Sequence, residues 1–275
     1  MGEQTGERIA PRRVRVHHLR AMKQAGQPIT MLTAYDAVTA DVFAEAGIDV
    51  LLVGDSVGDN LHGHATTIPV TVEDLLPHVR AVASRGGRPF VVADLPFGSY
   101  EEGPAQALRS AVRMLKEGLA HGVKLEGGRR VAAQVKALVD AGIPVMGHLG
   151  FTPQSVNAMG GPRVQGRGAA ADDLLADALA LQEAGAFAVV LEVVPGPVAE
   201  RVTAALDIPT IGIGAGAGCD GQVLVWLDMA GLTEHAPKLA KAYAQLRTAL
   251  REAAQEYAAE VRSRSFPGPE HTVAE

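Results

Sequence analysis

The chain has 275 residues, of which 47% are hydrophobic and 20% are charged, and its formal net charge at pH 7 is −6. A chain of this length can bury a large core and needs no disulfide to fold. The negative net charge argues against a nucleic-acid partner, and the single cysteine, Cys219, excludes an intrachain disulfide. Because the opening residues are polar and no long apolar run is present, we expect a cytoplasmic protein with no membrane partner.

Short apolar, β-branched runs recur along the chain, separated by stretches rich in Ala and Leu that are typical of helices. Their continuous apolarity is expected of parallel strands that are covered on both faces. We predict strands near 29–33, 50–54, 90–93, 122–125, 145–147, 188–191, 210–213 and 223–226. Eight βα units of this kind predict a (β/α)₈ TIM barrel.

Two further helices and two tails complete the predicted organisation. Residues 14–25 predict an extra N-terminal helix, and residues 235–262 predict a long C-terminal helix. Because the chain shows no longer repeat and no low-complexity linker, we expect a single barrel domain over 1–275. Polar tails are expected at about 1–10 and 264–275.

Four predicted strands end in a carboxylate: Asp55, Asp94, Glu126 and Glu192. In parallel barrels these strand ends surround the site of ligand chemistry. Each acid could instead cap the next helix, but the residues after Asp55 and Asp94 do not predict a helix start. Four acids at one level would repel one another unless a cation lies among them. Ligation by oxygen alone favours Mg²⁺.

Lys124 and Glu126 are two residues apart on one predicted strand, so their side chains should lie on the same face. They could form a buried ion pair, or they could place a cation for a substrate carboxylate beside a metal ligand. His148 also falls at a strand end, where its imidazole could donate a hydrogen bond or cap the loop.

Two other motifs have competing interpretations. His62 and His64 could bind a softer metal, but a third ligand at useful spacing is missing, so we interpret them as a loop feature. Residues 212–218 contain a G-x-G-x-x-A pattern, which can indicate a dinucleotide site. Because the segment is late in the chain and the next residues predict a strand, a tight barrel turn or a close approach to a ligand is favoured.

Several segments follow one another in a specific order: TAYDA, LLVGDSVG, TTIPVTVED, VVADLPFGSY, VKLEGG, GHLGFTPQSV, VQGRG, ALALQEAGA, VVLEVVP, IPTIGIGAG and FPGPEH. From about Thr33 to His271 this ordered set resembles the ketopantoate hydroxymethyltransferase (3-methyl-2-oxobutanoate hydroxymethyltransferase) family. The resemblance implies a (β/α)₈ barrel, one Mg²⁺ per subunit and 5,10-methylenetetrahydrofolate as cosubstrate. It also implies a homo-oligomer, usually a decamer.

The resemblance assigns roles to individual residues. As metal ligands it implies Asp55, Asp94 and Glu126. For binding of the keto acid it implies Asp55, Ser56, Asp94, Lys124 and His148. Glu192 matches the glutamate assigned as general base.

The reaction implied by the resemblance transfers a hydroxymethyl group to 3-methyl-2-oxobutanoate and gives 2-dehydropantoate (ketopantoate) for pantothenate and coenzyme A biosynthesis. In this hypothesis the keto acid chelates Mg²⁺, Glu192 removes the C3 proton, and a metal-stabilised enolate attacks the methylene carbon of the folate. One alternative is another Mg²⁺-enolate barrel, a lyase or mutase of the phosphoenolpyruvate mutase type. The other is a non-catalytic barrel that binds a keto acid.

Overall fold

The computed structural model describes residues 9–273, and eight parallel β-strands close into a barrel within them. The strands are β1 (Ile29–Thr33), β2 (Val50–Val53), β3 (Phe90–Asp94), β4 (Gly122–Glu126), β5 (Val145–Gly150), β6 (Ala188–Glu192), β7 (Thr210–Ile213) and β8 (Gly221–Leu224). Each strand pairs with the next one in the chain, and β8 pairs with β1. The predicted TIM barrel is therefore confirmed.

Helices connect most of these strands. In chain order they are α1 (Val16–Gln24), α2 (Ala37–Glu45), α3 (Val57–Asn60), α4 (Val72–Arg85), α5 (Pro104–Lys116), α6 (Ala132–Asp140), α7 (Val156–Met159), α8 (Ala170–Glu183) and α9 (Gly196–Ala205). Short 3₁₀ helices cover Arg129–Val131 and Pro153–Ser155. The extra N-terminal helix predicted at 14–25 is present as α1. A capping box starts α4, because Thr71 Oγ1 accepts from the Asp74 backbone N–H and the Asp74 carboxylate accepts from the Thr71 N–H.

One face of the strands changes from apolar to polar along its length. Val92, Met146 and Val190 belong to a single buried apolar cluster. The residues two positions further along the same strands lie on the same face, and they are Asp94, His148 and Glu192. Leu19 and Met22 of α1 pack into the same apolar cluster. The apolar cluster thus fills the barrel below the charged residues and leaves the C-terminal strand ends for the site.

The last strand differs from its prediction at 223–226. β8 begins at Gly221, because Gly221 pairs with Ile29 at a distance that leaves no room for a side chain: an added Cβ would lie 2.5 Å from the Ile29 carbonyl oxygen. Residues 214–220 join β7 directly to β8 without a helix. The expectation of eight complete βα units is therefore wrong at this connection.

The chain divides into two compact units, of which the first ends at Leu224 and the second begins at Val225. The second unit contains α10 (Trp226–Met229), α11 (Leu246–Ser263) and a 3₁₀ helix at Pro269–His271. The helix predicted for 235–262 is wrong over 235–245. In that part the Tyr243 N–H donates to the Met229 carbonyl at 2.8 Å, so the backbone pairs with α10 instead of forming a helix.

The single domain over 1–275 stays a prediction. The tails expected at about 1–10 and 264–275 lie partly outside the described residues, and 264–273 include the 3₁₀ helix. No helix in the described part of the chain has both the length and the apolar composition needed to cross a membrane.

Candidate active site

The barrel register brings the predicted site residues together. Asp94 on β3 is the register partner of Lys124 on β4, and Glu126 on β4 is the partner of His148 on β5. Asp55 lies two residues beyond the end of β2, after Gly54, and β2 pairs with β3. All five residues are buried, with exposed fractions between 1% and 4%. The structure therefore gathers ionisable groups from four neighbouring strands at one end of the barrel.

Lys124 contacts two other members of the site. Its Nζ atom lies 2.7 Å from Asp94 Oδ1 and 3.2 Å from His148 Nδ1. The same His148 nitrogen lies 3.4 Å from Glu126 Oε1, which confirms that Lys124 and Glu126 share a face. Burial lowers the pKa of Lys124, but the charges of Asp94, Glu126 and Asp55 outweigh burial and raise it overall. Lys124 is therefore an ammonium ion, and its close ion-pair partner is Asp94.

Asp55 and Asp94 are linked through the backbone. The Asp55 N–H donates to Asp94 Oδ2 at 2.9 Å. Gly54 permits this approach, because a Cβ there would lie 3.1 Å from Asp94 Oδ2 and 2.8 Å from Ser56 Oγ. The pKa of Asp55 is raised well above its usual range by burial and by the charges of Asp94 and Glu126. Contrary to the sequence prediction, the short helix α3 follows Asp55, but the partner of the Asp55 side chain is Gln154.

Two carboxylate oxygens in this group have unsatisfied bonding capacity. Asp94 Oδ1 and Glu126 Oε1 are buried without a partner in hydrogen-bond geometry, although Lys124 Nζ lies 2.7 Å from the former. Three buried carboxylates here face one lysine and one histidine. In their present positions, His, Cys, Asp and Glu side chains within residues 9–273 form no group of three or more that could hold a metal ion.

His148 lies between two glutamates. Its Nε2 atom is 3.1 Å from Glu192 Oε2, while its Nδ1 atom is directed to Glu126. Burial and Lys124 lower the pKa of His148, but the contacts with Glu126 and Glu192 outweigh them and raise it to about 9. The Glu192 side chain is 18% exposed, so it is the acid of this group with access to solvent. His148 Nε2 therefore faces Glu192 at ion-pair distance but outside hydrogen-bond geometry, and this contact favours the orientation of Glu192 over a cap on the loop.

The backbone directly after Glu192 is strained. Val193 has a φ of 51°, in the left-handed region that β-branched residues rarely adopt. Two hydrogen bonds hold it there: its N–H donates to the Ile213 carbonyl at 2.9 Å, and its carbonyl accepts from the Gln165 N–H at 3.0 Å. Strain of this kind at a candidate functional residue is consistent with a fixed direction for the Glu192 side chain.

Three buried polar residues belong to the site but were not predicted. Gln154 donates from Nε2 to Asp55 Oδ2 at 2.8 Å, and its backbone N–H donates to Glu126 Oε2 at 3.0 Å. Tyr100 donates its hydroxyl to Gln154 Oε1. The Tyr35 hydroxyl shares a hydrogen bond of 2.8 Å with Ser56 Oγ. The sequence signal for them was their position, because all three residues lie in the segments that directly follow strands β1, β3 and β5, Gln154 within the 3₁₀ helix Pro153–Ser155.

The remaining motifs place no side chain among the buried acids of this network. His62 Nε2 is 3.2 Å from His78 Nε2, and His78 Nδ1 is 2.6 Å from the Tyr35 carbonyl oxygen. The imidazole of His62 therefore lies beside that of His78 on α4 and beside that of His64. Gly214 and Gly216 have φ values of 62° and 81°. Since no helix follows them before β8, the tight-turn interpretation of 212–218 is favoured over a dinucleotide site.

Sequence comparisons give a consistent result over nearly the whole chain. A family model described as ketopantoate hydroxymethyltransferase matches residues 13–269. A 3-methyl-2-oxobutanoate hydroxymethyltransferase of Saccharopolyspora erythraea is 60% identical over 279 residues, which cover 98% of this chain and 95% of that protein. The protein of the same name from Leifsonia xyli subsp. xyli is 59% identical over 264 residues, covering 96% of this chain and 95% of the relative.

Solved structures with similar folds are more distant in sequence. Phosphoenolpyruvate phosphomutase from Streptomyces platensis subsp. rosaceus aligns with a TM-score of 0.61 at 18% identity, covering 94% of this chain and 92% of that chain. Phosphonopyruvate hydrolase in complex with oxalate and Mg²⁺ aligns with a TM-score of 0.59 at 14% identity, covering 94% and 93%. At such identities the likeness shows the barrel fold alone.

Proposed function

Because this chain belongs to the ketopantoate hydroxymethyltransferase family, we propose that it transfers a hydroxymethyl group from 5,10-methylenetetrahydrofolate to 3-methyl-2-oxobutanoate. The product would be 2-dehydropantoate, which serves pantothenate biosynthesis. One observation carries this proposal: buried carboxylates, a charged lysine and a partly exposed glutamate beside a histidine meet at the C-terminal end of the barrel.

The residues present fit a divalent metal ion, for which Mg²⁺ is our proposal. Asp55, Asp94 and Glu126 offer only hard oxygen donors, and Asp94 Oδ1 and Glu126 Oε1 are buried without hydrogen-bond partners. The unbalanced negative charge of three buried acids favours a cation there. Mg²⁺ at this position would withdraw electrons from the keto group of a bound acid and make the neighbouring C3–H bond more acidic.

Lys124 and Ser56 are placed to bind the substrate carboxylate. An ammonium group has three N–H donors, and the ion pair of Lys124 with Asp94 accounts for one of them. The Ser56 hydroxyl is held by Tyr35 and follows the aspartate at the end of β2. Lys124 and Ser56 belong to separate elements, and together they would hold the carboxylate of the bound keto acid in place. This would fix the direction of the C3–H bond of the keto acid.

We assign Glu192 as the base that takes the C3 proton. Its Oε2 atom contacts His148, and its partial exposure leaves it accessible to a ligand at the strand ends. The electron pair released at C3 would form the new bond to the methylene carbon of the folate while one of the two C–N bonds of that carbon breaks. A water molecule would then replace the second folate nitrogen, which gives the hydroxymethyl group and releases tetrahydrofolate, and the two folate nitrogens would take up the C3 proton and one proton of the water. His148 stays buried behind Glu192, where its charge would stabilise the carboxylate before the proton transfer.

The rival lyase or mutase reaction has less support in this chain. Its usual feature is a reactive cysteine on an active-site loop, and the single cysteine here is Cys219 in the connection between β7 and β8. Burial raises the pKa of the Cys219 thiol, which makes its reactive thiolate form scarcer at neutral pH. A non-catalytic keto-acid-binding barrel is also disfavoured, because each position matched to the family carries a side chain capable of its role.

A direct assay tests the proposed function. The purified protein is incubated with 3-methyl-2-oxobutanoate, Mg²⁺ and 5,10-methylenetetrahydrofolate, and ketopantoate is measured by mass spectrometry. Proton exchange at C3 of the keto acid in D₂O, followed by NMR, tests the first step without the folate. Cleavage of a phosphonate or a C4 acid in place of ketopantoate formation would favour the lyase alternative. Binding of the keto acid with neither exchange nor product would favour the non-catalytic barrel.

The assembly and location of the protein stay predictions. We propose a homo-oligomer, by resemblance a decamer, whose state sedimentation can measure. A cytoplasmic location is likewise proposed.

A further inference from the structure

We propose that Gln154 is a positioning residue that sets the spacing and direction of Asp55 and Glu126, so that these two carboxylates can hold a divalent cation. The inference rests on the proposed function only in taking the carboxylate cluster as a cation site. It assigns Gln154 no contact with substrate.

Every polar atom of the Gln154 side chain has a specific partner. Nε2 donates to Asp55 Oδ2 at 2.8 Å and to the Leu95 carbonyl at 3.1 Å. Oε1 accepts from the Tyr100 hydroxyl. Because Asp55 and Leu95 both present acceptors, only the end that carries the N–H groups can face them, and the amide orientation is fixed.

Gln154 also reaches the second carboxylate through its backbone, whose N–H donates to Glu126 Oε2 at 3.0 Å. One residue in the loop after β5 therefore donates to acids at the ends of β2 and β4, which are not neighbouring strands in the barrel. In each acid the contacted oxygen is held in one direction. The other oxygen of Glu126, Oε1, has no hydrogen-bond partner. This arrangement leaves one oxygen of Glu126 available to bind a cation while the other is held in place by Gln154.

Burial makes these contacts strong. Gln154 is 5% exposed, and both acids are less exposed still. Hydrogen bonds to a carboxylate are stronger than neutral ones, and a buried donor that loses its acceptor is costly. Partners of this kind hold metal ligands in place, and their loss typically weakens metal affinity by about 10–100-fold.

A matched control is available in Gln134. This second buried glutamine is 7% exposed, and its Nε2 atom contacts the Tyr100 backbone carbonyl at 3.4 Å. This contact is to a backbone group and involves no acid. Replacing Gln134 therefore tests the loss of a buried amide as such, whereas replacing Gln154 tests the loss of donors to the cluster.

The experiment measures binding of Mn²⁺ to the full-length protein by EPR, without keto acid or folate. In Gln154→Met, which keeps the side-chain length but removes the amide, we expect the Kd for Mn²⁺ to rise by about 10–100-fold. In Gln134→Met we expect a change of less than about threefold. Circular dichroism and thermal unfolding without metal report whether each variant folds. If Gln154→Met does not fold, Gln154→Asn replaces it, since it keeps the amide but withdraws it by about 1.5 Å.

An unchanged Kd in the Gln154 variant, or equal losses in the two glutamine variants, would overturn the inference. If the unmodified protein makes ketopantoate with Mg²⁺ but the Gln154 variant binds Mn²⁺ normally, only the inference fails. If the unmodified protein binds Mn²⁺ with the expected dependence on Gln154 but forms no product, the proposed function fails and the inference stands. Absence of Mn²⁺ binding by the unmodified protein overturns the inference as well.

Discussion

His148 Nε2 lies 3.1 Å from Glu192 Oε2, and the opposite ring nitrogen of His148 faces Glu126 at 3.4 Å. One imidazole thus connects the carboxylate assigned as base with a carboxylate assigned to the metal site. Burial lowers the pKa of His148, but the contacts with Glu126 and Glu192 raise it overall to about 9, which favours the protonated imidazole near neutral pH. This contact links the two parts of the candidate active site.

Replacing His148 by Gln should therefore reduce the rate of proton transfer. The neutral amide lacks the ring and its second nitrogen and would leave Glu192 less well directed, and we expect kcat to fall by about 10–100-fold, the usual effect of a misplaced reacting group. Steady-state kinetics should show a much smaller change in KM for the keto acid. His235→Gln, at an exposed histidine in the second unit, is the control. A fall in kcat that is no larger than in this control would remove His148 from that role.

Replacing Glu192 by Gln should abolish most proton abstraction while it preserves the shape of the site. We expect kcat to fall by about two to four orders of magnitude, the range for a positioned acid or base. Binding of the keto acid, measured by calorimetry, should be largely retained. The exposed Glu183 at the end of α8 provides the control Glu183→Gln. Normal C3 exchange in Glu192→Gln would mean that another group is the base.

Gly150 at the end of β5 should not tolerate a side chain. Its φ is 91°, and an added Cβ would lie 2.1 Å from the Glu192 carbonyl oxygen. We expect Gly150→Ala to lower the free energy of unfolding by about 2–4 kcal/mol, through backbone strain plus a clash. Gly161 has a φ of 103° with open space around it, so Gly161→Ala measures the strain alone. Urea titration that gives equal losses in both variants would contradict the clash.

His121 should make stability depend on pH below neutrality. The Val91 N–H donates to its Nδ1 atom, and the Arg13 guanidinium lies beside its Nε2 atom. Burial and Arg13 lower the pKa of His121 to about 4. The unfolded chain, with a histidine pKa of about 6.5, takes up the proton first, so this stabilisation is present above pH 6.5 and is lost as the pH falls towards 4.

Because His121 is only partly buried, we expect it to contribute about 1–2 kcal/mol to that loss. In His121→Asn the amide oxygen can still accept from Val91 but does not titrate. Urea unfolding of both proteins at pH 7.5 and pH 5 should show a smaller loss in the variant. Parallel losses would indicate that other groups dominate.

Much of the fold followed from local patterns. Strands covered on both faces need continuous apolar runs, so seven of the eight predicted strands match those in the structure closely. β8 was displaced because its first residues, Gly221 and Gln222, have low strand propensity, and their pairing with β7 and β1 arises only when the barrel closes. Residues 235–245 have a helical composition, yet the Tyr243 N–H pairs with the Met229 carbonyl of α10. Local propensity was overridden there by contacts that no local pattern contains.

The barrel and the acids at its strand ends follow from the amino-acid sequence, because strand periodicity and chain order fix which residues reach the C-terminal rim. The tertiary structure alone decided which groups pair there. Lys124 meets Asp94, His148 meets Glu192, and Gln154 reaches Asp55 across 99 residues of chain. Such pairings depend on the closure and register of the barrel and on side-chain direction, and these are set by packing of the whole chain.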